Sequence, residues 1–529
     1  MITSQLEPLA LPQVEWSMLA PELILIGGAL ALLVAGTFRR DRTMAAASCI
    51  FTVAVALAAL VASWGLWQEV GGDRGGARLA LADAVVVDGF AVFFTVVICV
   101  AVGVGALLAH GYLRQEGLEP SAFLVLMMLS GSGGILMAKA NDLILIFLGL
   151  EILSIALYVL AGYHQRREQS REAAIKYFVL GSFSSAFFLY GVALTYGSTG
   201  STNLGFIAEF LATQTVTGGV LLGGFAFLLV GLGFKVAAVP FHMWTPDVYQ
   251  GAPTPVTGFM AAAAKAAGFA ALLRIFYSAF GTEQLDWKPI VWVLAVLSMV
   301  VGSVLAIVQS DVKRMLAYSS ISHAGFILIG LQAANDRGIA GSLFYLLAYS
   351  FLVLGSFATV AIVSRRGDLR TGLDAYRGLS RDRPGLAFAF TVFLLAQAGV
   401  PFTSGFLAKF YVISAAVEAE SYAIAIIAML ASVVAAFFYL RLIVVMYMGA
   451  DQVMAGVGPE APTVAPSTVG AMAAEDAAGG GVVTEVTSRV EIPVAAALAI
   501  GICLAFTIGA GLIPQPVIDF ARHATLLRL

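Results

Sequence analysis

The sequence predicts an all-α polytopic membrane protein of about 14 transmembrane helices, and three observations carry that expectation. First, 60% of the 529 residues are hydrophobic and 12% are charged, with a mean hydropathy of +0.93. A soluble domain carries about 25% charged residues, so a chain this long and this poor in charge cannot cover its own surface in water. A water-soluble enzyme is excluded. Second, the apolar residues form continuous runs close to the roughly 20 residues that cross a hydrocarbon core of about 30 Å. A transmembrane β-barrel would show short alternating segments instead. Third, nothing in the chain calls for a soluble partner or a bound group. The net charge of -3 leaves no basic footprint for nucleic acid. Cys49, Cys99 and Cys503 sit in apolar runs without C-x-x-C spacing, so neither a disulfide framework nor a metal or iron–sulfur site is expected. No G-x-G-x-x-G occurs, so no nucleotide cofactor is expected on this chain.

Taken in order, the apolar runs are 19–37, 44–66, 89–110, 121–138, 142–162, 172–196, 219–241, 256–277, 289–309, 313–333, 338–363, 385–414, 421–447 and 492–513. Between the sixth and seventh, residues 200–217 place Phe206, Ile207, Phe210 and Leu211 among polar residues, the pattern of a short interfacial helix. Residues 450–490, rich in Ala, Gly, Val, Thr and Pro, read as a flexible cytoplasmic loop without a packed core. Orientation follows from the positive-inside bias. Arg39, Arg40 and Arg42 follow the first run, Arg166, Arg167 and Arg171 the fifth, Lys313 and Arg314 the ninth, and Arg365, Arg366, Arg370, Arg377, Arg381 and Arg383 the eleventh. Loops after odd-numbered helices are therefore expected in the cytoplasm and both termini outside. The first run is read as a span rather than a cleaved signal, because its positive charges follow the apolar stretch.

The chemistry lies in charges that the runs bury. Seven lysines occur against about three times as many arginines, and Lys176, Lys235, Lys265 and Lys409 fall inside predicted spans. Glu151 and His323 are also deep in apolar helices. At 1.5 Å per residue, Glu151 and Lys265 lie about 13 Å, and His323 about 15 Å, from the starts of their runs, near the bilayer midplane. A charge there costs roughly 2.5–3.5 kcal/mol on the insertion scale, and such residues normally face a hydrated interior and mark an ion route. Simpler readings exist for some of them. Lys176 is close to a cytoplasmic helix end and fits snorkelling, as does Arg441, and His323 taken alone equally fits a core histidine bonded to Ser319 or Ser320. Glu151, Lys235, Lys265 and Lys409 exceed what one structural ion pair needs. Gly131, Gly133 and Gly134 fit close helix packing.

Two helices carry breaks beside their lysines. The seventh reads Gly231-Leu232-Gly233-Phe234-Lys235 and then Pro240, and the twelfth reads Gly399-Val400-Pro401 and then Gly405-Phe406-Leu407-Ala408-Lys409. A break in a span is tolerated where it lines protein or a water-filled cavity, and paired breaks in two halves of a chain point to a transport site. Lys235 and Lys409 are 174 residues and five helices apart. An odd offset makes their helices antiparallel, as inverted five-helix repeats require. The expected organisation is therefore helices 1–3 in 1–120, a first repeat in 121–277, a second in 289–447, the 450–490 loop, and helix 14 with a tail in 491–529.

The segment Gly233-Phe234-Lys235-Val236-Ala237-Ala238-Val239-Pro240-Phe241-His242-Met243-Trp244-Thr245-Pro246-Asp247-Val248-Tyr249 resembles a signature of the antiporter-like membrane subunits of respiratory complex I, the proton-translocating NADH:quinone oxidoreductase. The segment from Asp311 to His323 resembles a second, and the likeness covers about residues 120–450. Within that family the subunit N branch fits. Subunit L would carry a long lateral helix beyond the last spans, and subunit M typically has a glutamate at the place of Lys409. Relatives often show two successive prolines where this chain has Pro401-Phe402. The resemblance implies that Glu151 and Lys235 pair across the fifth and seventh helices, that Lys265 and His323 carry protons laterally, and that Lys409 stands at the exit side, with Lys176 a further candidate. It implies that NADH, FMN, iron–sulfur clusters and quinone belong to other subunits. Partners would be other membrane subunits of the complex, including a related antiporter-like subunit and small membrane subunits, in a bacterial inner membrane. The same module occurs in multi-subunit cation/proton antiporters and membrane hydrogenases, and a stand-alone secondary transporter is the remaining alternative. An ion pair at 4 Å in an effective dielectric of 20 is worth about 4 kcal/mol. That matches the cost of moving one charge across about 170 mV.

Overall fold

The computed structural model describes residues 14–38, 44–70, 76–214, 219–364, 366–448 and 492–524. The 450–490 segment lies outside the described residues. The chain opens with α1 (Ala20–Phe38), α2 (Met44–Val70) and α3 (Gly89–Glu116). Next come α4 (Pro120–Lys139), α5 (Leu143–Ala161), α6 (Glu168–Thr199) and the short α7 (Leu204–Thr213), the last within the stretch expected to be interfacial. The seventh run becomes α8 (Gly219–Val236) and, after a break, the short α9 (Trp244–Gly251). The eighth is α10 (Thr254–Phe259) continued by α11 (Lys265–Leu273). Then follow α12 (Gln284–Ile307), α13 (Val312–Ala333), α14 (Asp336–Ser364) and one turn, α15 (Leu379–Asp382). The twelfth run is split into α16 (Pro384–Ala398) and α17 (Ser404–Glu418), before α18 (Tyr422–Tyr447), α19 (Val494–Leu512) and α20 (Gln515–His523). Among the described residues, 13 helices are long and apolar enough to cross a membrane. The remaining expected crossing is the α16–α17 pair, whose two 15-residue halves are each too short to span alone.

One departure from an all-α chain is a hairpin between α2 and α3. Strand β1 (Arg78–Ala80) pairs antiparallel with β2 (Val85–Val87), with Leu79 opposite Val86. The three valines are fully buried and β-branched, which suits a strand, but the segment is too short to register as an apolar run.

The two halves repeat one construction, 169 residues apart. Asp142 caps α5 by accepting from the amide of Ile144 at 2.8 Å, and its other oxygen accepts from the Thr202 hydroxyl at 2.7 Å. Asp311 caps α13 by accepting from the amide of Arg314 at 2.9 Å, and it accepts from the Thr371 hydroxyl. The backbone repeats the match. Leu143 N–H donates to Thr202 C=O at 2.9 Å and Val312 N–H to Thr371 C=O at 2.8 Å, while Leu204 donates to Asn141 and Leu373 to Ser310, both at 2.9 Å. Helix contacts follow the same register. A Cβ on Gly133 would stand 2.6 Å from Leu153 N, and one on Gly302 2.5 Å from Ser322 N. Glycine at these points lets α4 lie on α5, and α12 on α13, backbone to backbone.

Several charges are structural anchors at the ends of the bundle. Lys139 pairs with Glu22 at 2.8 Å, and Arg274 with Asp88 at 2.9 Å, all four buried. At the end rich in arginine, Asp368 has no exposed side-chain surface and is held by Arg167 at 2.8 Å and Lys313 at 3.6 Å. Arg441 does not snorkel to solvent. Its guanidinium donates to the carbonyls of Ile307 and Gln309, both at 2.6 Å, and so satisfies the open end of α12. Helix α20 sets Phe520 between Trp67 and Phe93, with ring centroids 4.7 and 4.8 Å away, and ties the end of the chain to its first helices.

Candidate functional site: a line of buried lysines

Each break places a lysine inside the bundle and frees backbone groups that must find partners. In the first, α8 ends just past Lys235, and Ala237 takes a left-handed φ of 62°. The Phe234 carbonyl then accepts from Trp244 Nε1 at 2.9 Å, and Val239 N–H donates to Ser298 Oγ at 2.9 Å. In the second, Gly399 (φ 94°) and Phe402 (φ 66°) turn the chain between α16 and α17. The freed Ala398 carbonyl accepts from Lys409 Nζ at 3.0 Å. Proline is confined to φ near −65°, so the bend made here by Phe402 is unavailable to a chain with a second proline at that position. Ahead of Lys265 the helix widens into a π-helical segment, Met260–Ala264, a feature that recurs at functional sites and that no sequence pattern announced.

The lysines sort by partner. Lys139 and Lys313 are buried, and each has a carboxylate within reach. Neither was among the lysines expected inside spans. Lys176 is not a midplane residue. Its side chain is 41% exposed and pairs with Glu172 at 2.6 Å and Asp247 at 2.7 Å. Lys235, Lys265 and Lys409 are at most 5% exposed, and none has a carboxylate within 4.0 Å among the described residues.

Their partners are neutral. Lys235 donates to Ser154 Oγ at 2.7 Å and lies 3.4 Å from Tyr177 Oη. The implied Glu151–Lys235 ion pair is therefore not made in this state. Ser154, one turn beyond Glu151 on α5, takes the lysine, and Glu151 Oε1 is buried without a hydrogen-bond partner. Lys265 donates to Ser320 Oγ at 2.5 Å and to Ser320 C=O at 2.6 Å, and its ammonium stands 5.6 Å from the Tyr349 ring centroid. Lys409 adds the Phe326 ring, 4.8 Å from its ammonium.

His323 is linked by hydrogen bonds toward Lys265. Nδ1 lies 2.7 Å from Tyr345 Oη and Nε2 3.1 Å from Tyr439 Oη, so tyrosines rather than Ser319 or Ser320 satisfy the ring. Tyr439 also bonds Ser319, next to the Ser320 that holds Lys265. The polar line is thus continuous from Lys265 through Ser320, Ser319 and Tyr439 to His323, apart from the single peptide step between the serines. On the far side Phe326 stands against both His323, at 6.5 Å between ring centroids, and Lys409. Sequence reasoning missed Ser154, Tyr345 and Tyr439. Their only advance signal was a hydroxyl in an apolar run, which is too common to single them out.

Two broken helices, each with a buried lysine and no carboxylate within 4.0 Å of it at the break, fit an antiporter-like membrane subunit as the class. The family described as NADH:quinone oxidoreductase/Mrp antiporter, TM, matches residues 140–435. NADH-quinone oxidoreductase subunit N of Trichlorobacter lovleyi is 44% identical over 439 residues, covering 82% of this chain and 88% of the relative. Subunit N of a Parafrankia species is 42% identical over 484 residues, covering 87% and 91%. A chain of respiratory complex I from Thermus thermophilus with bound aureothin superposes with a TM-score of 0.74 at 32% identity, covering 94% of this chain and 98% of that one. The chain belongs to the subunit N family of NADH-quinone oxidoreductases.

Proposed function

We propose that this chain is the proton-translocating membrane subunit of an NADH-quinone oxidoreductase, and that Lys235, Lys265, His323 and Lys409 carry the protons. The observation that supports it best is that three buried lysines have hydroxyl, carbonyl or ring partners and no acid, while the structural lysines have one. A buried ammonium held only by neutral groups keeps much of its desolvation cost and is suited to losing its proton. Glu151, with one oxygen unpartnered, is the mobile counter-charge. When its carboxylate reaches Lys235 the ammonium is stabilised, and when it withdraws, as here, the proton is freed for Lys265 and the histidine beyond. Lys176, at the mouth of a polar cavity, belongs to the water-facing end of this system.

In this reading NADH, FMN, iron–sulfur clusters and quinone reside in other subunits. The chain packs against a related antiporter-like subunit and small membrane subunits in a bacterial inner membrane. The arginine-rich end faces the cytoplasm and both termini lie outside. The two five-helix units, 121–277 and 289–447, each supply one broken helix. The test is Lys235→Ala and Glu151→Ala in the assembled complex. Both should impair coupled quinone reduction and proton pumping, and Glu151→Asp should retain more than the alanine change. Normal pumping in both alanine variants, with assembly verified, would refute the assignment.

A further inference from the structure

A polar cavity of about 690 Å³ opens at the arginine-rich end, and its wall includes Ala173, Lys176, Asp247, Gln250 and Arg314. Lys235 is not part of that wall, and aromatic rings stand between the two. Tyr177, whose Oη is 3.4 Å from Lys235 Nζ, stacks on Trp244 with ring centroids 4.6 Å apart, and Phe234 packs on Trp244 at 5.3 Å. Tyr177 and Trp244 are buried, yet residues next to them reach the cavity. Lys176 precedes Tyr177 on α6, and Asp247 follows Trp244 by three residues on α9. The rings thus form a cover between the cavity and the first lysine.

The position of this cover depends on α9, which is eight residues long and follows a break. A helix so short is not stable alone and takes its place from its contacts. Backbone packing fixes its far end, where a Cβ on Gly251 would stand 2.4 Å from the Gln169 carbonyl oxygen. Nearer Trp244, Asp247 divides its two carboxylate oxygens between two other helices. Oδ2 accepts from Lys176 on α6 at 2.7 Å, and Oδ1 accepts from Arg314 on α13 at 2.6 Å. Arg314 also donates to Gln250 Oε1 on α9 at 3.2 Å, and Lys176 has Glu172 as a second partner at 2.6 Å. Burial alone would raise the Asp247 carboxyl, but Lys176 and Arg314 hold it below the ordinary carboxylate value, so the bridge stays charged through neutral pH. Pairs this exposed add little to overall stability. What they fix is where α9 lies, and with it the Trp244 ring.

We propose that Asp247 is a positioning residue for the first lysine: by tying α9 to α6 and α13 it keeps the Tyr177–Trp244 stack closed over Lys235. The inference rests on the reading of Lys235 as a proton carrier. On its other side Lys235 lies against the helix of the second lysine, since a Cβ on Gly268 of α11 would stand 3.2 Å from Lys235 Cγ. With the cover closed, a proton leaving Lys235 is turned away from the cavity and toward Lys265. With the cover open it returns to the cavity, and the turnover moves no proton through this chain. Asp247 acts on coupling and transfers no proton itself.

The experiment uses the assembled complex in proteoliposomes with the arginine-rich end outward. Ser154→Cys places a thiol against Lys235, and a membrane-impermeant cationic methanethiosulfonate added outside reports whether the cover is open, read by mass spectrometry of the peptide carrying residue 154. In this background Asp247→Ala should speed labelling by about threefold or more, the value of one or two exposed ion pairs. Asp247→Glu, which can still reach both cations, should restore most of the protection. Without the reporter, Asp247→Ala should lower the protons pumped per NADH by at least a tenth, because quinone reduction continues through turnovers that move no proton here. A residue needed only for assembly would lower both rates together and leave their ratio unchanged. Lys176→Gln cuts only the α6 arm, and its labelling rate decides the matter if Asp247→Ala does not assemble. Labelling equal to the parent's in the assembled variant would overturn the positioning role, and so would faster labelling with a parent-like proton ratio. Parent-like pumping in Lys235→Ala would instead overturn the reading on which it rests.

Discussion

Asp368 illustrates how much one side chain can organise. It bonds Tyr112 on α3, Thr254 on α10 and Ser364 on α14, and it pairs with Arg167 and Lys313. Burial alone would raise its carboxyl, yet Lys313 and Arg167, with the Thr254 and Ser364 hydroxyls, hold it below the ordinary carboxylate value. A carboxyl depressed in the folded state contributes stability that is full above its unfolded pKa, about 3.9, and is lost as pH falls through the folded value. Stability from this cluster should therefore be flat across neutral pH and fail only in strong acid. Asp368→Asn leaves the buried Lys313 and the part-buried Arg167 without their counter-charge and should cost about 3 kcal/mol, read as a lowered melting temperature of the purified complex at pH 7. A melting temperature equal to the parent's would show that the cluster is not an anchor.

At the scale of elements, the breaks are where the sequence was most informative. Glycine and proline beside a lysine in an apolar run are rare enough to read directly, and both breaks lie where Lys235 and Lys409 predicted them. What could not be read is how each break resatisfies its backbone, because the partners, Ser298 and Trp244 for one and Lys409 itself for the other, come from folding and not from spacing. That Lys235 rests on Ser154 and not on Glu151 in this structure has a related reason. Ser154 lies on the same face of α5 at i+3 from Glu151, and periodicity cannot choose between two groups that one lysine can reach. Gly399 offers a test at this scale. Its φ of 94° is poorly tolerated by any side chain, and an added Cβ would stand 3.1 Å from Lys409 Cδ. Gly399→Ala should cost about 1–3 kcal/mol of strain and displace Lys409, so turnover of the assembled complex should fall severalfold. Unchanged turnover would mean that the lysine's position at the break is not critical.

For the whole molecule, the matched clasps at Asp142–Thr202 and Asp311–Thr371 give the repeat a physical meaning beyond resemblance, because the same capping, hydroxyl and backbone bonds are made twice at one spacing. Fourteen apolar runs could be counted from the sequence, whereas this register could not, since threonine and aspartate 60 residues apart carry no local signal. Equal construction predicts equal cost. Asp142→Ala and Asp311→Ala should each destabilise by about 1–2 kcal/mol through loss of a helix cap, and the double variant should show the sum, as expected of separated sites. Thermal unfolding of the three variants checks this, and a strongly non-additive double variant would mean that the halves are mechanically coupled.

Along the proposed proton route, the Phe326 side of His323 is where the line of hydrogen bonds stays open. An electrical wire from Lys265 to Lys409 would let an idle enzyme short-circuit the membrane, since 100 mV drives each unit charge with about 2.3 kcal/mol. The Phe326 ring stands against both His323 and Lys409, and a desolvated cation–ring contact is worth about 2 kcal/mol, so along the proposed route Lys409 would have to leave that ring before exchanging a proton with the histidine. That contact is of the same order as the driving energy, so along the proposed route it would slow leakage by about thirtyfold.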